Sequence, residues 1–453
     1  MKSEPTRTGA SQACPRGKIP RVVPTLLAAV VTILAPTAAM AESTLMLAPL
    51  GQNLVHGGTS HPNTVHAANA NPASPAAADR RGYWFGLGAL SMGYELGSLD
   101  NIGDRIVEVE DTLEEDFATL ADAEAAKEEL EALIRDLGRD AYFKMGAAAT
   151  PPLMPLGGGM PGLGGQFSIG VGAVGGARVR ILDAPVEVES VDNRYELQSR
   201  TSGYLKGAGG NVLSLGYSAA AMHHRDGTLL AGMRLNHYRM ELAKSVVAIE
   251  DDDEEDFDDA LEDDFDRNQR SDSTLGVDLG LVWKAGNYQL GGTLRNVNEP
   301  SLRYPRLGRN CNALDGAAAT NCHTAASFGD RISLSETHTL ERQLQLEGAV
   351  FTTNRDWSLS AGWDVNAARD ITGDANQWYS ISGAWAGRGW WIPGARLGYR
   401  ANRSGSELDF ITGGLTFFRI LNLDAAVSRD AVEEDGDEIP RSAMLSLSLE
   451  FQY

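Results

Sequence analysis

The chain has 453 residues, a formal net charge of −22 at pH 7, 50 glycines and 43% hydrophobic residues. An acid excess of this size excludes a broad nucleic-acid footprint, because holding a phosphate backbone requires Lys and Arg to neutralise it. Many glycines with few long apolar runs fit thin, two-faced strands better than a thick soluble core.

The N-terminus reads as an export signal over residues 1–41. Lys2, Arg7, Arg16, Lys18 and Arg21 form a basic region, and Val22 to Ala35 an apolar one. Ala39-Met40-Ala41 then offers small residues to a signal peptidase. Pro24 and Pro36 interrupt the apolar run, which is short for a membrane span. Residues 42–80 show no strand alternation and are rich in Ala, Asn, His and Pro.

From Gly82 onward, segments of about ten residues alternate apolar and polar side chains, the pattern of a barrel with one face in lipid. Fourteen strands are predicted, at about 82–95, 166–182, 193–206, 210–222, 228–243, 272–285, 287–298, 337–351, 355–366, 375–387, 393–402, 406–418, 420–430 and 441–453. The last is the clearest. Ala443, Leu445, Leu447, Leu449, Phe451 and Tyr453 share one face, against Met444, Ser446, Ser448, Glu450 and Gln452. Phe451 and Tyr453 are the expected barrel-closing aromatics. The fold class is therefore all-β, a transmembrane antiparallel barrel in the outer membrane of a Gram-negative bacterium.

The connections agree with this reading. In a barrel whose N-terminus starts in the periplasm, odd connections are long and external and even ones are short turns. The longest are the odd connections at 96–165, 244–271 and 299–336. Two exceptions stand out: 183–192 is long for a turn, and the connection between the third and fourth strands is short for an external loop. Within the first long connection, Ile106, Val109, Leu113, Phe117, Leu120, Leu130, Leu133, Ile134 and Leu137 recur at helical spacing among acids. Such helices cap a barrel mouth or offer a docking surface. The second long connection carries thirteen acids in the seventeen residues 250–266. Asp251, Asp253, Glu255, Asp259 and Glu262 fall on calcium-loop positions, but Asp256 stands where the sharp turn wants glycine. A solvated external loop is the simpler reading, loose cation binding the other. In the third, Cys311 and Cys322 are expected to form a loop disulfide in an exported chain.

Three stretches resemble a known family. Asn71-Pro72-Ala73 is similar to the plug motif of FadL-like (long-chain fatty-acid transporter) barrels. Leu294-Arg295-Asn296-Val297-Asn298-Glu299-Pro300 resembles their "R-N-x-N-x-P" passage from strand to loop. The run from Trp363-Asp364-Val365-Asn366 through Arg396-Leu397-Gly398-Tyr399-Arg400 to Leu421-Asn422-Leu423-Asp424-Ala425-Ala426 resembles their C-terminal half. With the acidic helical insertion, the chain is most similar to the plasmid-transfer TraF type within that superfamily. The resemblance implies a fourteen-stranded monomer (81–453) with residues 42–80 folded inward as a hatch. It further implies either an accessory role in conjugation, with conjugation-apparatus proteins as partners, or a channel for a hydrophobic ligand with a lateral gap in the third strand. A surface-binding structural barrel, with the acidic loop and the Cys311–Cys322 loop as its working parts, is the third reading. Gly203, Gly207, Gly209 and Gly210 are the candidate gap glycines, with a tight Gly-rich turn as the alternative. Lipid and the barrel assembly machinery are expected partners of any such chain.

No catalytic, cofactor or metal set is expected. Gly170 to Gly175 spells a dinucleotide fingerprint, but it lies inside a predicted strand with no helix opening after it. His56, His61 and His66 are spaced by five, which places them on no single face. The inferred lumen residues Glu341, Glu347, Asp364, Arg396, Arg400 and Asp424 form a charged interior, read mainly as paired structural charges.

Overall fold

The computed structural model describes residues 47–78, 82–160, 162, 164–191, 193–249, 264–387, 390–434 and 436–451. The signal at 1–41, most of the acidic run 250–266, and Tyr453 lie outside these residues or largely so.

The chain forms a closed antiparallel barrel of fourteen staves. They are β1 (Trp84–Leu96), β2 in two parts (Tyr142–Thr150 and Leu156–Gly159), β3 (Gln166–Leu182), β4 (Ser202–His224), β5 (Gly227–Ala248), β6 (Gln269–Lys284) and β7 (Tyr288–Arg295). They continue as β8 (Gln343–Phe351), β9 (Trp357–Asp364), β10 (Trp378–Trp385), β11 (Gly394–Asn402), β12 (Asp409–Phe417), β13 (Leu421–Ser428) and β14 (Ser442–Phe451). Closure runs from Phe85 opposite Phe451 to Glu95 opposite Ser442. Every stave therefore has two neighbours, and the wall presents no free edge.

Two expectations about individual strands fail and compensate each other. The end of the predicted strand 193–206 and the whole of 210–222 are one stave, β4, paired without interruption to β3 from Ser202 to Ser218. The stave missed is β2, hidden in what reads as a single loop over 96–165. The corrected order removes both exceptions. Residues 183–201 become a long-end loop carrying its own hairpin, Val186–Val191 on Arg194–Ser199. Gly207, Gly209 and Gly210 are mid-strand, so no connection lies there. The odd connections are now mostly the longer and the even ones short, such as Arg225-Asp226 between β4 and β5, the exception being 386–393, which is longer than 403–408. Phe418-Arg419, between β12 and β13, turns with φ of 52° and 59°, the positive-φ geometry that matches strand twist.

Alternation holds along the wall. In β14, Leu445, Leu447 and Leu449 are exposed outward, whereas Ser446, Ser448 and Glu450 are buried in the lumen. Trp357, Leu359 and Trp363 of β9 likewise face out. The exterior is an apolar surface and the interior a polar one.

At the long-loop end, α1 (Ile102–Leu113) and α2 (Leu120–Asp140) form a helical pair. Thr119 caps α2, its hydroxyl accepting from the Asp122 N–H at 3.2 Å. Val109, Leu113, Leu130, Ile134 and Leu137 are buried against Val186 and Leu197 of the hairpin and Ile181 of β3. The apolar stripe is thus spent on this chain's own packing, and only Val107 and Leu120 of the large apolar side chains on the two helices are exposed. Among the described residues no helix is long and apolar enough to cross a membrane.

Candidate functional site

Three features of the barrel position chemistry: a plug inside the lumen, an interruption of the wall, and a row of cations at the long-loop mouth.

The plug comprises residues 47–78, which carry two single helical turns at Ala67–Ala70 and Ser74–Ala77. Asn71-Pro72-Ala73 docks on the inner wall. The Asn71 amide donates to the Leu281 and Gly292 carbonyls at 3.3 Å each, and its oxygen accepts from the Ala73 N–H at 2.8 Å. The wall receives this turn on glycines. A Cβ at Gly232 would fall 2.2 Å from the Pro72 carbonyl oxygen, and one at Gly280 would fall 2.2 Å from the Asn71 Oδ1. These glycines were not legible as site residues, since nothing in β5 or β6 marks them apart from other strand glycines.

Wall charges hold the rest of the plug. Arg234 of β5 donates to Asp278 of β6 and to the Ala68 carbonyl, both at 2.8 Å. Glu347 accepts from the Thr59 N–H at 2.7 Å, and Glu450 from the Val65 N–H at 2.8 Å. Arg396 grips Asp424 through two nitrogens at 2.5 and 2.6 Å. The Arg400 guanidinium stacks over Trp378 at 3.8 Å from the ring centroid. Of the predicted lumen residues, Glu347, Asp364, Arg396, Arg400 and Asp424 are buried there. Glu341 instead sits toward the loops and pairs with Arg369 at 2.7 Å. Between plug and wall lie a cavity of about 80 Å³ beside His56, Glu347, Asp364 and Arg400 and one of about 270 Å³ beside His61, Arg396, Asn422 and Glu450. His56 and His61 stack with ring centroids 4.1 Å apart, while His66 lies elsewhere, so the three histidines do not converge. Among the described residues no group of side chains has a metal-ligating arrangement.

The Arg295–Pro300 passage replaces the strand ladder with side-chain bonds. Asn296 (φ 49°) donates its N–H to Asp278 at 2.8 Å. The Asn298 side chain accepts from the Val277 N–H at 2.9 Å and donates to the Leu275 carbonyl at 2.7 Å. Asn298 thus satisfies the backbone edge of β6 where the chain departs, and Asn296 is pinned by the Asp278 carboxylate.

The wall is interrupted in β2. Ladder pairing stops at Thr150 and resumes at Leu156, because Pro151, Pro152 and Pro155 remove three backbone donors within five residues. On the facing side, Gly170, Val171 and Gly172 of β3 have no partner in β2. The fingerprint-like run Gly170–Gly175 thus lies in a strand, as its context predicts. Gly203, Gly207, Gly209 and Gly210 sit in full register between β3 and β5, so the wall is continuous where the candidate gap was placed.

At the long-loop mouth, Lys144, Arg178, Lys206 and Lys244 stand directly opposite one another on four adjacent staves, β2 to β5. Four like charges in one row repel. Three carboxylates from two loops answer them. Asp370 and Asp374, in 365–377, pair with Lys144, and Asp374 also with Arg178. Glu336, in 296–342, pairs with Lys206 at 2.5 Å and approaches Lys244 at 3.9 Å. Beneath this lock, Val174, Ala208, Val212, Tyr238 and Met240 of the wall pack on Leu302, Tyr304, Leu340 and Ile371 of the loops. The lumen is therefore closed from the loop end as well. Cys311 and Cys322 are bonded, Cα to Cα 5.3 Å, across the start of α3 (Ala317–Ser327).

The sequence profile of the family described as "F plasmid transfer operon, TraF, protein" matches residues 68–364. The chain belongs to the TraF family. No curated protein matches it. Among solved structures, the TraF chain is similar to a Pseudomonas aeruginosa FadL homologue at 13% identity, covering 92% of this chain and 100% of that one, with a TM-score of 0.38. The Ralstonia pickettii toluene transporter TbuX gives 10% identity, 91% and 99% coverage, and a TM-score of 0.38. The P. putida toluene transporter TodX gives 13%, 91% and 100%, and 0.37.

Proposed function

We propose that this TraF-family chain is a monomeric barrel of the Gram-negative outer membrane that assists plasmid transfer at the cell envelope through its long loops. The observation that supports this most is the lumen: plugged by residues 47–78 from one side and locked by two loops from the other, it leaves separate spaces of about 80 and 270 Å³ beside the plug and no through-passage among the described residues. A barrel filled in this way serves best as a platform. Its apolar exterior suits lipid, the absence of a free edge suits a monomer, and residues 1–41 suit export to the barrel assembly machinery. The family description supplies the conjugation context, and proteins of the conjugation apparatus are the partners this reading expects. Plasmid transfer frequency from a donor with an in-frame deletion tests it. A fall of several tenfold, restored by complementation, supports the role, and unchanged transfer removes it.

The interruption of β2 favours a second reading, a lateral exit for a hydrophobic molecule. It requires the plug to move, since Leu50 packs with Ala89 and Ala148 just beside the break. Uptake of a labelled hydrocarbon by cells with and without the gene separates the two readings.

A further inference from the structure

The cation row at the mouth is larger than its structural need. Besides Lys144, Arg178, Lys206 and Lys244, the same inner face of β3 carries Arg180, two residues beyond Arg178 and opposite Tyr204. That makes five wall cations against four carboxylates, Asp370, Asp374 and Glu336 of the loops and Glu95 of β1, which stands opposite Lys144. Arg180 is half-buried and forms no ion pair or hydrogen bond among the described residues; its only partner is the Tyr204 ring, 5.3 Å away. Arg331 and Arg369 are also present but are neutralised by Asp183 and Glu341. In a chain with a net charge of −22, this local surplus of positive charge is set against the whole.

The surplus lines a space. A cavity of about 460 Å³, open at the mouth, is bounded by Arg178, Arg180, Lys206, His338, Thr339 and Thr372, and also by Glu336, Glu341 and Asp374, each already paired with a cation. Two further polar nitrogens there have no hydrogen-bond partner among the described residues. His338 is 5% exposed and its Nε2 is unbonded, and the buried Nε of Arg178 is unbonded too. Buried polar atoms are ordinarily satisfied, and a set left open around one cavity marks a place for a ligand. Guanidinium groups with hydroxyls beside them match the oxygens of a tetrahedral anion.

We propose that this mouth cavity binds a phosphate monoester, with Arg180 as the principal contact and Arg178 and His338 completing the cradle. The site is independent of the conjugation reading. The phosphate can arrive on a free solute, such as a phosphorylated sugar, or on a lipid headgroup. Recognition by Arg180 is the same in both cases.

The purified, folded barrel in detergent is titrated with glucose 6-phosphate, with glucose as the uncharged control, by calorimetry at low and high salt. In parallel it is presented with nanodiscs of phosphatidylcholine with and without phosphatidic acid. Saturable binding of glucose 6-phosphate but not glucose, weakened at least tenfold in Arg180→Gln and unchanged in Arg225→Gln, supports a free phosphate ester. Binding only to phosphatidic acid discs, with the same response to Arg180→Gln, supports the lipid source. Arg225 lies in the short turn at the opposite end, so its variant controls for loss of any surface cation. Heat-modifiable migration on gels reports that each variant is folded, and Arg180→Lys retains part of the binding if charge is what matters. No saturable binding to either probe, or binding indifferent to Arg180→Gln in a folded barrel, overturns the proposal.

Discussion

Arg234 lies 2.8 Å from Asp278 across two adjacent staves, and the same guanidinium holds the Ala68 carbonyl of the plug. Both side chains are almost wholly buried. This ion pair is one of the buried contacts that fasten the hatch to the wall, beside those of Glu347, Glu450 and Asn71. Removing one partner of a buried pair leaves an uncompensated charge and costs about 3–5 kcal/mol. Arg234→Leu is expected to release the plug and leave the barrel closed. Limited proteolysis checks this, with new cleavage near residues 66–72 and an intact barrel fragment.

Wall glycines provide a second handle on the same contact. Gly232 and Gly280 meet plug atoms at 2.2 Å from where a Cβ would stand, and at Gly232 the nearest of them is backbone. Gly232→Val is expected to displace Asn71-Pro72-Ala73, while Gly292→Ala, whose Cβ has 3.6 Å of room, leaves it in place. Hydrogen exchange of the amides of residues 67–78 distinguishes the two, faster in the first variant and native in the second.

The hatch and the loop lock both exclude protons. Burial pushes the His338 imidazole down to about 4, and Lys206 adds to this against Asp370, Glu336 and Glu341. Burial, then His61 and Arg396, holds His56 well below its usual value. Unfolded histidine titrates near ~6.5, so the unfolded chain binds more protons between about 4 and 6.5. Stability is then full above that window and falls as pH drops through it. Between pH 7.5 and 5, His338 alone contributes a loss of about 2 kcal/mol. Denaturant midpoints at the two pH values should lie closer together in His338→Gln than in the unaltered chain, with the remainder left to His56.

The disulfide acts locally. Cys311 and Cys322 close a short segment around α3, which packs on β5 through the cluster of Ala325, Phe328 and Val246. Cys322→Ser is expected to make residues 308–333 sensitive to protease at unchanged barrel melting, because no stave ladder depends on the bond.

How far the fold was legible follows from these same residues. The closing strand and β9 were plain because a thin wall demands strict alternation, and Leu445 and Trp363 could face only one way. β2 was hidden because Tyr142–Thr150 follows a helix directly and ends in Ala147-Ala148-Ala149, which carry little strand signal. β4 was split because Gly207-Ala208-Gly209-Gly210 reads as a turn. In the barrel those small residues make room: a Cβ at Gly210 would fall 2.2 Å from the Arg239 carbonyl oxygen. The plug motif was visible locally, whereas its glycine seats and the cation row were not. Lys144, Arg178, Lys206 and Lys244 meet only through register across four staves, which no single segment encodes.

The central claim is that a plugged barrel works through its long loops. The direct measurement is plasmid transfer from a deletion donor complemented with a variant in which Ile102–Asp140 is replaced by a short Gly-Ser linker. The account predicts a heat-modifiable, correctly assembled barrel with transfer reduced at least tenfold relative to complementation by the full chain. Transfer equal to that of the full chain would contradict it.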